Sequence, residues 1–256
     1  MQNNKTITLE SLSEGKYRSV ICYPTYKKEE LENRLNELKQ LNIKTVEFTG
    51  QKHVHNIPVL GKGCVGIVVV AYRKDEKVAL KIRRTDANRT TMCREAQMFK
   101  KANKIDVGPR FLRITKNFLL MEYVEGLLFP EWIKTLAGKG ARRRLRCVLR
   151  LVLEQAWRLD KAGLDHGELS NAPKHIIVKP DDLPCLVDFE TASISRRASN
   201  VTSLCQYLFI GSPIAKPIQR KIGEIKKDSL VNALRMYKES KDRKDFEKAL
   251  LKCGVL

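Results

Sequence analysis

The stretch VLGKGCVGIVVVAYR, residues 59–73, restricts the possible folds more than any other part of this sequence. Its glycines, Gly61, Gly63 and Gly66, have the spacing G-x-G-x-x-G, which also occurs where dinucleotide-binding folds begin a helix. Here the last glycine runs directly into the β-branched and aromatic residues IVVVAY, so the pattern predicts a second strand and not a helix. We therefore expect a β-hairpin whose glycine-rich loop lets backbone N–H groups approach a phosphate without obstruction by side chains.

The rest of the chain divides into three parts of different pattern. Residues 1–56 predict a small α/β module, with a strand in SVICYPTY, an amphipathic helix in KKEELENRLNELKQLN and a strand in IKTVEF. Residues 57–126 continue the hairpin with strand-like runs and one helix, TTMCREAQMFKKAN. Residues 127–256 are mainly helical, and ARRRLRCVLRLVLEQAWRLDKAG is the longest helix. The fold class predicted from these patterns is α+β.

The charge of the chain indicates the kind of partner. The formal net charge is +20, from 49 Lys and Arg against 29 Asp and Glu. A surplus of this size attracts polyanions, and nucleic acid is the expected partner. A charge-rich thermophilic surface is the alternative, but such surfaces carry both signs in ion-pair networks.

Other compositional features concern the compartment. No apolar run is long enough to predict a membrane span, and the start of the sequence lacks the apolar region of a signal peptide. The seven cysteines form no C-x-x-C pair, and their odd number argues against a disulfide framework. We expect a soluble, cytoplasmic protein with reduced thiols and no membrane partner.

Two pairs of residues after the hairpin are candidates for nucleotide binding. Lys81 lies on a strand in VALK, and Glu95 follows on a helix in CREA. An ion pair between them would hold the ammonium group against phosphates. The segment MEYVEG, residues 121–126, follows an apolar strand, and its backbone at Glu122 and Val124 is a candidate for contacts with a base.

Further chemistry is predicted at HGELSNAPKHIIV, residues 166–178, and at LVDFE, which contains Asp188. Glu168 is a candidate general base, because a carboxylate can accept the proton of a hydroxyl group. Asp188 follows the apolar strand PCLV and offers a hard oxygen ligand suited to Mg²⁺.

Six motifs between residues 57 and 210 resemble those of protein-kinase-like enzymes and occur in the same order. They are the glycine loop, VALK, the helix glutamate, MEYVEG, HGEL and LVDFE. HGELS is similar to the H-G-D-L-S of the atypical RIO kinases. Within that branch, the leading module, the basicity and the glutamate loop resemble the archaeal tRNA kinase family, which phosphorylates a ribose 2′-hydroxyl of tRNA.

This resemblance implies a two-lobed, RIO-like kinase fold with lobes at 57–126 and 127–256, and it implies Mg²⁺ with ATP or GTP as cofactors. It implies that Lys81, Glu168 and Asp188 converge around one triphosphate. The implied nucleotide-binding residues are Gly61, Gly63, Gly66, Lys81, Glu95, Glu122 and Val124.

The sequence departs from this resemblance in the HGEL loop. Glu168 is one methylene longer than the expected Asp, and the position of the metal-binding Asn is held by His175. Asn171 has the required amide at a different spacing, so both residues are candidate metal ligands beside Asp188. Lys174 is a candidate for stabilising the transferring phosphoryl group.

The substrate is predicted from an absence and from a cluster of charges. No A-P-E segment follows Asp188, so the usual platform for a peptide substrate is missing. The predicted RNA-binding cluster at the start of the long helix is Arg142, Arg143, Arg144, Arg146 and Arg150. The alternatives are a RIO-type serine/threonine protein kinase, for which RRAS at 196–199 resembles a phosphorylation site, and an RNA-binding pseudokinase.

Overall fold

The computed structural model describes residues 5–256 and is 43% helical and 20% strand, which confirms the predicted α+β class. The chain divides into two compact units. The first contains the residues up to 97 together with 110–123, and the second contains 98–109 and 124–256.

The first unit is built on an antiparallel sheet in the order β1-β2-β6-β7-β9-β8, with β5 paired to β6. Its elements are β1 (Lys5–Thr8), α1 (Leu9–Leu12), α2 (Tyr17–Ile21), α3 (Lys28–Gln40), β2 (Thr45–Phe48), β3 (Lys52–Val54), β4 (Ile57–Val59), β5 (Gly61–Lys62), β6 (Gly66–Arg73), β7 (Glu76–Arg83), the first half of α4 (Cys93–Asn103), β8 (Phe111–Ile114) and β9 (Phe118–Glu122). The predicted α3 helix and the strands of the hairpin are confirmed, because each depends on a strong local period.

The predicted boundary at residue 56 falls inside this sheet. β2 pairs with β6, so that Thr45 lies opposite Tyr72. Buried residues from α3, β2, β6 and β7 belong to one hydrophobic core. Residues 5–56 are therefore part of the same unit as the hairpin and do not form a separate module.

A buried arginine of α3 ties the helix to the sheet. Arg34 has no exposed surface. Its Nη1 donates hydrogen bonds of 2.6 Å to the carbonyl of Ile21 and 2.7 Å to the carbonyl of Arg83, which ends β7. Its Nη2 donates to Asn117 Oδ1 at 3.3 Å. The bonds to Arg83 and Asn117 cross the predicted boundary at residue 56 and explain why it is not a boundary of the structure.

The predicted strand in SVICYPTY is wrong, because the chain forms α2 there. Val20, Ile21 and Cys22 are fully buried in the core of the first unit. The β-branched side chains of Val20 and Ile21 favour a strand locally, but packing against this core overrides the local preference.

The second unit is mainly helical. Its elements are β10 (Leu127–Leu128), α5 (Phe129–Thr135), α6 (Ala141–Lys161), a 3-10 turn (Leu169–Asn171), β11 (Ile176–Val178), β12 (Pro184–Leu186), α7 (Asn200–Cys205), a π turn (Gln206–Ile210), α8 (Ala215–Ile222), α9 (Lys227–Ser240) and α10 (Arg243–Lys252). No helix within residues 5–256 is both long enough and apolar enough to cross a bilayer.

The long helix α6 buries one face, as its apolar period predicts. Leu145, Val148, Leu149 and Val152 are fully buried. Near its end, the buried Asp160 accepts hydrogen bonds from the Asn200 backbone N at 2.7 Å, Asn200 Nδ2 at 2.8 Å and the Val201 backbone N at 3.1 Å. Asp160 thereby fixes the start of α7 against α6.

Candidate functional site

The glycine-rich segment is a hairpin loop of the first unit. β5 and β6 pair through Gly61 with Val68, and the Gly63 N–H donates to the Gly66 carbonyl at 2.8 Å. Arg84 anchors the loop, since its backbone N–H donates to the Val65 carbonyl at 2.8 Å and its Nη1 to the Gly63 carbonyl at 3.1 Å. The predicted hairpin is confirmed at all three glycines.

Lys81 and Glu95 form the ion pair that the sequence predicts. Lys81 Nζ lies 2.8 Å from Glu95 Oε1, and both side chains are 4% exposed. A Cβ atom at Gly66 would lie 3.0 Å from Lys81 Cε, so the glycine leaves room for the lysine side chain beside the loop. Burying two charges costs desolvation free energy, so this ion pair is expected to contribute little to stability. Its geometry is more consistent with a role in positioning the Lys81 ammonium group.

The segment with the candidate base-binding backbone begins at the end of β9. The Glu122 N–H donates to the Arg110 carbonyl at 2.9 Å, and its carboxylate accepts from the Arg110 N–H at 2.9 Å. Because the Glu122 N–H is already bonded, a hydrogen bond between the Glu122 backbone and a base would use the Glu122 carbonyl oxygen. Val124 is the first residue of this segment in the second unit, and base binding at both positions remains a prediction.

In the second unit, the HGEL loop begins at a buried histidine. The His166 N–H donates to Asn200 Oδ1 at 2.8 Å, and its Nε2 lies 3.2 Å from the Val187 carbonyl oxygen. Burial lowers the pKa of the His166 imidazole from 6.5 to about 4, and the neighbouring His175 lowers it further in the same direction. His166 is therefore neutral at pH 7 and braces the loop through these two contacts.

Three charged side chains of the second unit meet beyond this brace. Lys174 Nζ lies 3.6 Å from Glu168 Oε2 and 3.9 Å from Asp188 Oδ2. Asp188 has a φ of 71°, in the left-handed region that non-glycine residues rarely adopt and that is enriched at functional sites. Glu168 and Lys174 belong to one loop and Asp188 to a separate segment, so the fold brings Asp188 to the other two.

His175 faces protein oxygens with both ring nitrogens. Its Nδ1 lies 3.3 Å from the Val187 carbonyl oxygen, and its Nε2 lies 2.7 Å from Glu168 Oε2. The second approach is short but lies outside the angular range of a hydrogen bond, and it is an ion pair when the imidazole is protonated. The ring is fully buried. His175 therefore lies directly beside the Glu168 carboxylate, and metal ligation by His175 remains a prediction.

Asn171 ends the 3-10 turn that directly follows Glu168 in the sequence. Its backbone N–H donates to the Glu168 carbonyl at 3.1 Å. Its side chain is exposed and forms no hydrogen bond with Asp188 in the part of the chain that the structure describes. Metal binding by Asn171 therefore remains a prediction.

The carboxylates of Glu168 and Asp188 suit Mg²⁺ even though they are not part of a closed set of protein ligands. Among residues 5–256, no three His, Cys, Asp or Glu side chains are grouped to hold a metal ion. Mg²⁺ in nucleotide sites, however, takes only one or two carboxylates, with phosphates and water completing its six ligands. Asp188 and Glu168 supply such oxygen atoms around one cationic side chain, so the chemistry of the donor set is compatible with Mg²⁺.

The predicted arginine cluster is divided in the structure. Arg142 Nη2 donates to the Ile222 carbonyl at 3.0 Å, and Arg144 pairs with Asp182 at 2.6 Å. Arg143 and Arg150 are exposed, and Arg146 is half-buried. The charge of Arg144 is therefore compensated within the fold, while the other four remain candidates for binding a polyanion.

Asp160 and Asn200 are not predicted from the sequence. No local signal identifies them, because Asp160 and Asn200 lie forty residues apart. Comparison of the chain with known protein families and with curated proteins gives no match.

Proposed function

We propose that this chain is an NTP-dependent RNA kinase of RIO-like, two-lobed fold, which transfers the γ-phosphate of ATP or GTP to a ribose 2′-hydroxyl of tRNA. The observation that carries the proposal is the meeting of Glu168 and Asp188 at one lysine, Lys174, beyond a buried histidine brace. Phosphoryl transfer needs this combination of a base, a metal ligand and a cation near the transferred group.

The first unit would hold the nucleotide. The Lys81–Glu95 pair fixes the ammonium group before a ligand arrives, so little side-chain entropy is lost when phosphates bind. The loop at Gly61, Gly63 and Gly66 carries no side chain at these three positions, so its backbone can approach the same phosphates closely.

In the second unit, Glu168 would accept the proton of the attacking hydroxyl group. The new bond joins the ribose oxygen to the γ-phosphorus, the bond to the bridging oxygen breaks, and the nucleoside diphosphate leaves with that electron pair. His175 lies beside the Glu168 carboxylate, and Lys174 would stabilise negative charge on the transferring group. Asp188 would hold Mg²⁺, which when bound neutralises charge on the phosphates.

The RNA acceptor is supported by charge. The net charge is +20, and Arg143 and Arg150 are exposed on α6. The two arginines of the candidate protein phosphorylation site are engaged in the fold, because Arg196 pairs with Asp165 at 2.7 Å and Arg197 with Glu239 at 3.5 Å. RNA is therefore favoured over self-phosphorylation at that site.

The test offers ATP labelled at the γ-phosphate, bulk tRNA and a generic protein to the wild type and to Glu168→Gln. We expect label in tRNA with the wild type and a loss of at least about 100-fold in the variant, the usual contribution of a general base. Binding of a fluorescent ATP analogue should be unchanged. The exposed Glu239→Gln is the matched control and should transfer normally.

Other outcomes discriminate between the alternatives. Label in the protein instead of tRNA would favour a RIO-type protein kinase. Binding of RNA without label in either polymer would favour a pseudokinase. Full transfer by Glu168→Gln would remove the assigned base.

A further inference from the structure

The second unit contains a cavity of about 770 Å³ that the mechanism does not use. Its walls come from α5, from the loop after the 3-10 turn, and from the segment that leads into α8. Much of the wall is apolar, with Pro130, Ile133, Pro173, Ile214 and Pro217. A volume of this size, with apolar walls and few polar groups, is typical of sites for small organic groups.

A buried hydroxyl group in the cavity wall lacks a hydrogen-bond partner. Tyr207 is 4% exposed and lines the cavity, and its Oη has no partner among residues 5–256. Burial raises the pKa of Tyr207 to about 12, so the hydroxyl keeps its proton at pH 7 and remains a donor. A buried polar group without a partner is costly, and the Tyr207 Oη is closed off from the cavity, so a ligand would supply the missing acceptor once the wall beside Tyr207 moves.

Tyr207 lies on the π turn, a conformation that occurs frequently at functional sites. The turn is held from outside, because Ser212 Oγ donates to the Tyr207 carbonyl at 2.6 Å and Gln219 Nε2 donates to the Phe209 carbonyl at 3.2 Å. The backbone of Tyr207 is therefore hydrogen-bonded within the fold, while its side-chain hydroxyl is not.

The charged residues of the cavity wall are all cations. They are Lys134, Arg220 and Lys221, and no Asp or Glu lines the cavity. Lys134 pairs with Glu131 at 2.9 Å, and Lys221 donates to the Leu136 carbonyl at 2.9 Å. Arg220 is exposed and has no acidic partner within residues 5–256. The cavity therefore combines apolar walls with an available positive charge, which suits a phosphate-bearing ligand.

Asn171 connects the cavity with the proposed base. Its side chain lines the cavity, and its backbone belongs to the 3-10 turn that follows Glu168. Three residues of a 3-10 helix advance about 6 Å, so the cavity opens close to the loop that carries the base. On the other side, Arg142 contacts the end of α8, which extends the cationic surface from Arg220 toward α6.

We infer that this cavity takes an unpaired nucleotide of the acceptor RNA, an inference that rests on the proposed function for its choice of RNA. The base would pack on the proline and isoleucine walls, with the Tyr207 hydroxyl and the Asn171 amide at its hydrogen-bonding edge. Arg220 would contact a phosphate. A base can enter such a cavity only when it is free of its helix, so the RNA must be single-stranded there.

The experiment measures binding of a fluorescein-labelled single-stranded RNA heptamer by anisotropy, without NTP, at several salt concentrations. Tyr207→Phe removes only the partnerless hydroxyl, so its thermal stability should be equal to or higher than that of the wild type and its affinity about three- to tenfold lower. Arg220→Ala should weaken binding and reduce the slope of log K against log salt by about 0.7, the value for one phosphate contact on a single strand.

The exposed Arg235→Ala on α9 is the matched control and should change neither affinity nor slope. The same heptamer in a duplex should show no dependence on Tyr207. The inference is overturned if Tyr207→Phe binds like the wild type and Arg220→Ala behaves like the control, or if a phosphoserine peptide binds with the same dependence on both residues. Because binding is measured without transfer, these results are independent of the test of Glu168.

Discussion

Lys174 occupies an unusual position for an exposed lysine. Its side chain is 56% exposed, yet it lies within 4.0 Å of two carboxylates, Glu168 and Asp188. An exposed ion pair contributes about 0–1 kcal/mol to stability, so the position of this lysine has little value for folding. Its value is expected in catalysis, where positive charge near a transferring phosphoryl group lowers the barrier.

We expect Lys174→Met to separate these two effects. Its rate of transfer should fall by about 100-fold, the effect of losing one electrostatic contact to the transition state. Its free energy of unfolding should change by less than about 1 kcal/mol. Steady-state kinetics and urea denaturation measure the two quantities, with Lys161→Met, an exposed lysine at the end of α6, as control. Equal losses of activity in both variants would contradict the assignment.

His166 makes stability depend on pH. Its pKa is about 4 in the folded protein and about 6.5 in the unfolded chain, so the unfolded chain binds a proton first as the pH falls. The contribution of this group is complete above pH 6.5 and is lost progressively between about pH 6.5 and pH 4, by at most about 3 kcal/mol. Urea denaturation at several pH values should show the decrease, and NMR should find His166 neutral at pH 5.5. A protonated His166 at that pH would contradict the expectation.

At the scale of single elements, local period and long-range packing made different contributions. The hairpin, α3, α4 and α6 follow from apolar periods and turn residues that span a few neighbouring positions. The α2 helix does not, because its β-branched residues favour a strand until the core of the first unit covers them. The start of α7 likewise depends on Asp160, which no pattern near Asn200 announces.

Asp160 is expected to be essential for the packing of α6, α7 and α9. It accepts two hydrogen bonds from Asn200, one from Val201, and one of 2.8 Å from Tyr237 Oη. Asp160→Ala leaves these donors buried without their acceptor, and we expect a loss of about 3 kcal/mol or more in the free energy of unfolding. Urea denaturation measures it. The exposed Asp228→Ala at the start of α9 should cost less than about 1 kcal/mol, and equal losses would argue against the role of Asp160.

At the scale of the whole molecule, the sequence predicts a module at residues 1–56 and a strand-rich part at residues 57–126. The first unit of the structure contains nearly all of both parts. β6 lies between β2 and β7, so the hairpin needs residues from before position 56 to complete its sheet. The first unit ends at residue 123, close to the predicted boundary between the strand-rich part and the helical part at residue 126. Hydrophobic pattern locates strands well, but it does not reveal which strands pair.

This arrangement predicts that residues 57–256 do not fold alone. Removing β2 exposes the edge of β6, and removing α3 takes Leu38 and Arg34 from the core. Open apolar edges of this kind promote association of chains. Circular dichroism and size-exclusion chromatography should show an aggregated or partly unfolded fragment. A monomer that unfolds cooperatively at the midpoint of the full chain would contradict the integrated sheet.

The sequence by itself determined the features that depend on neighbouring residues: the α+β class, the glycine hairpin, the long amphipathic helices, and Lys81 with a helix glutamate suited to pair with it. Tertiary structure decided how Asp188 reaches Lys174 in the loop of Glu168, because Asp188 comes from a separate segment whose local pattern carries no information about distance. It also decided that Arg34 is buried, that Arg144 is paired and that Tyr207 lines a cavity. The physical reason is the same in each case: a side chain's burial and partners are set by contacts between segments distant in sequence, whereas an apolar period records only the face that a single segment turns inward.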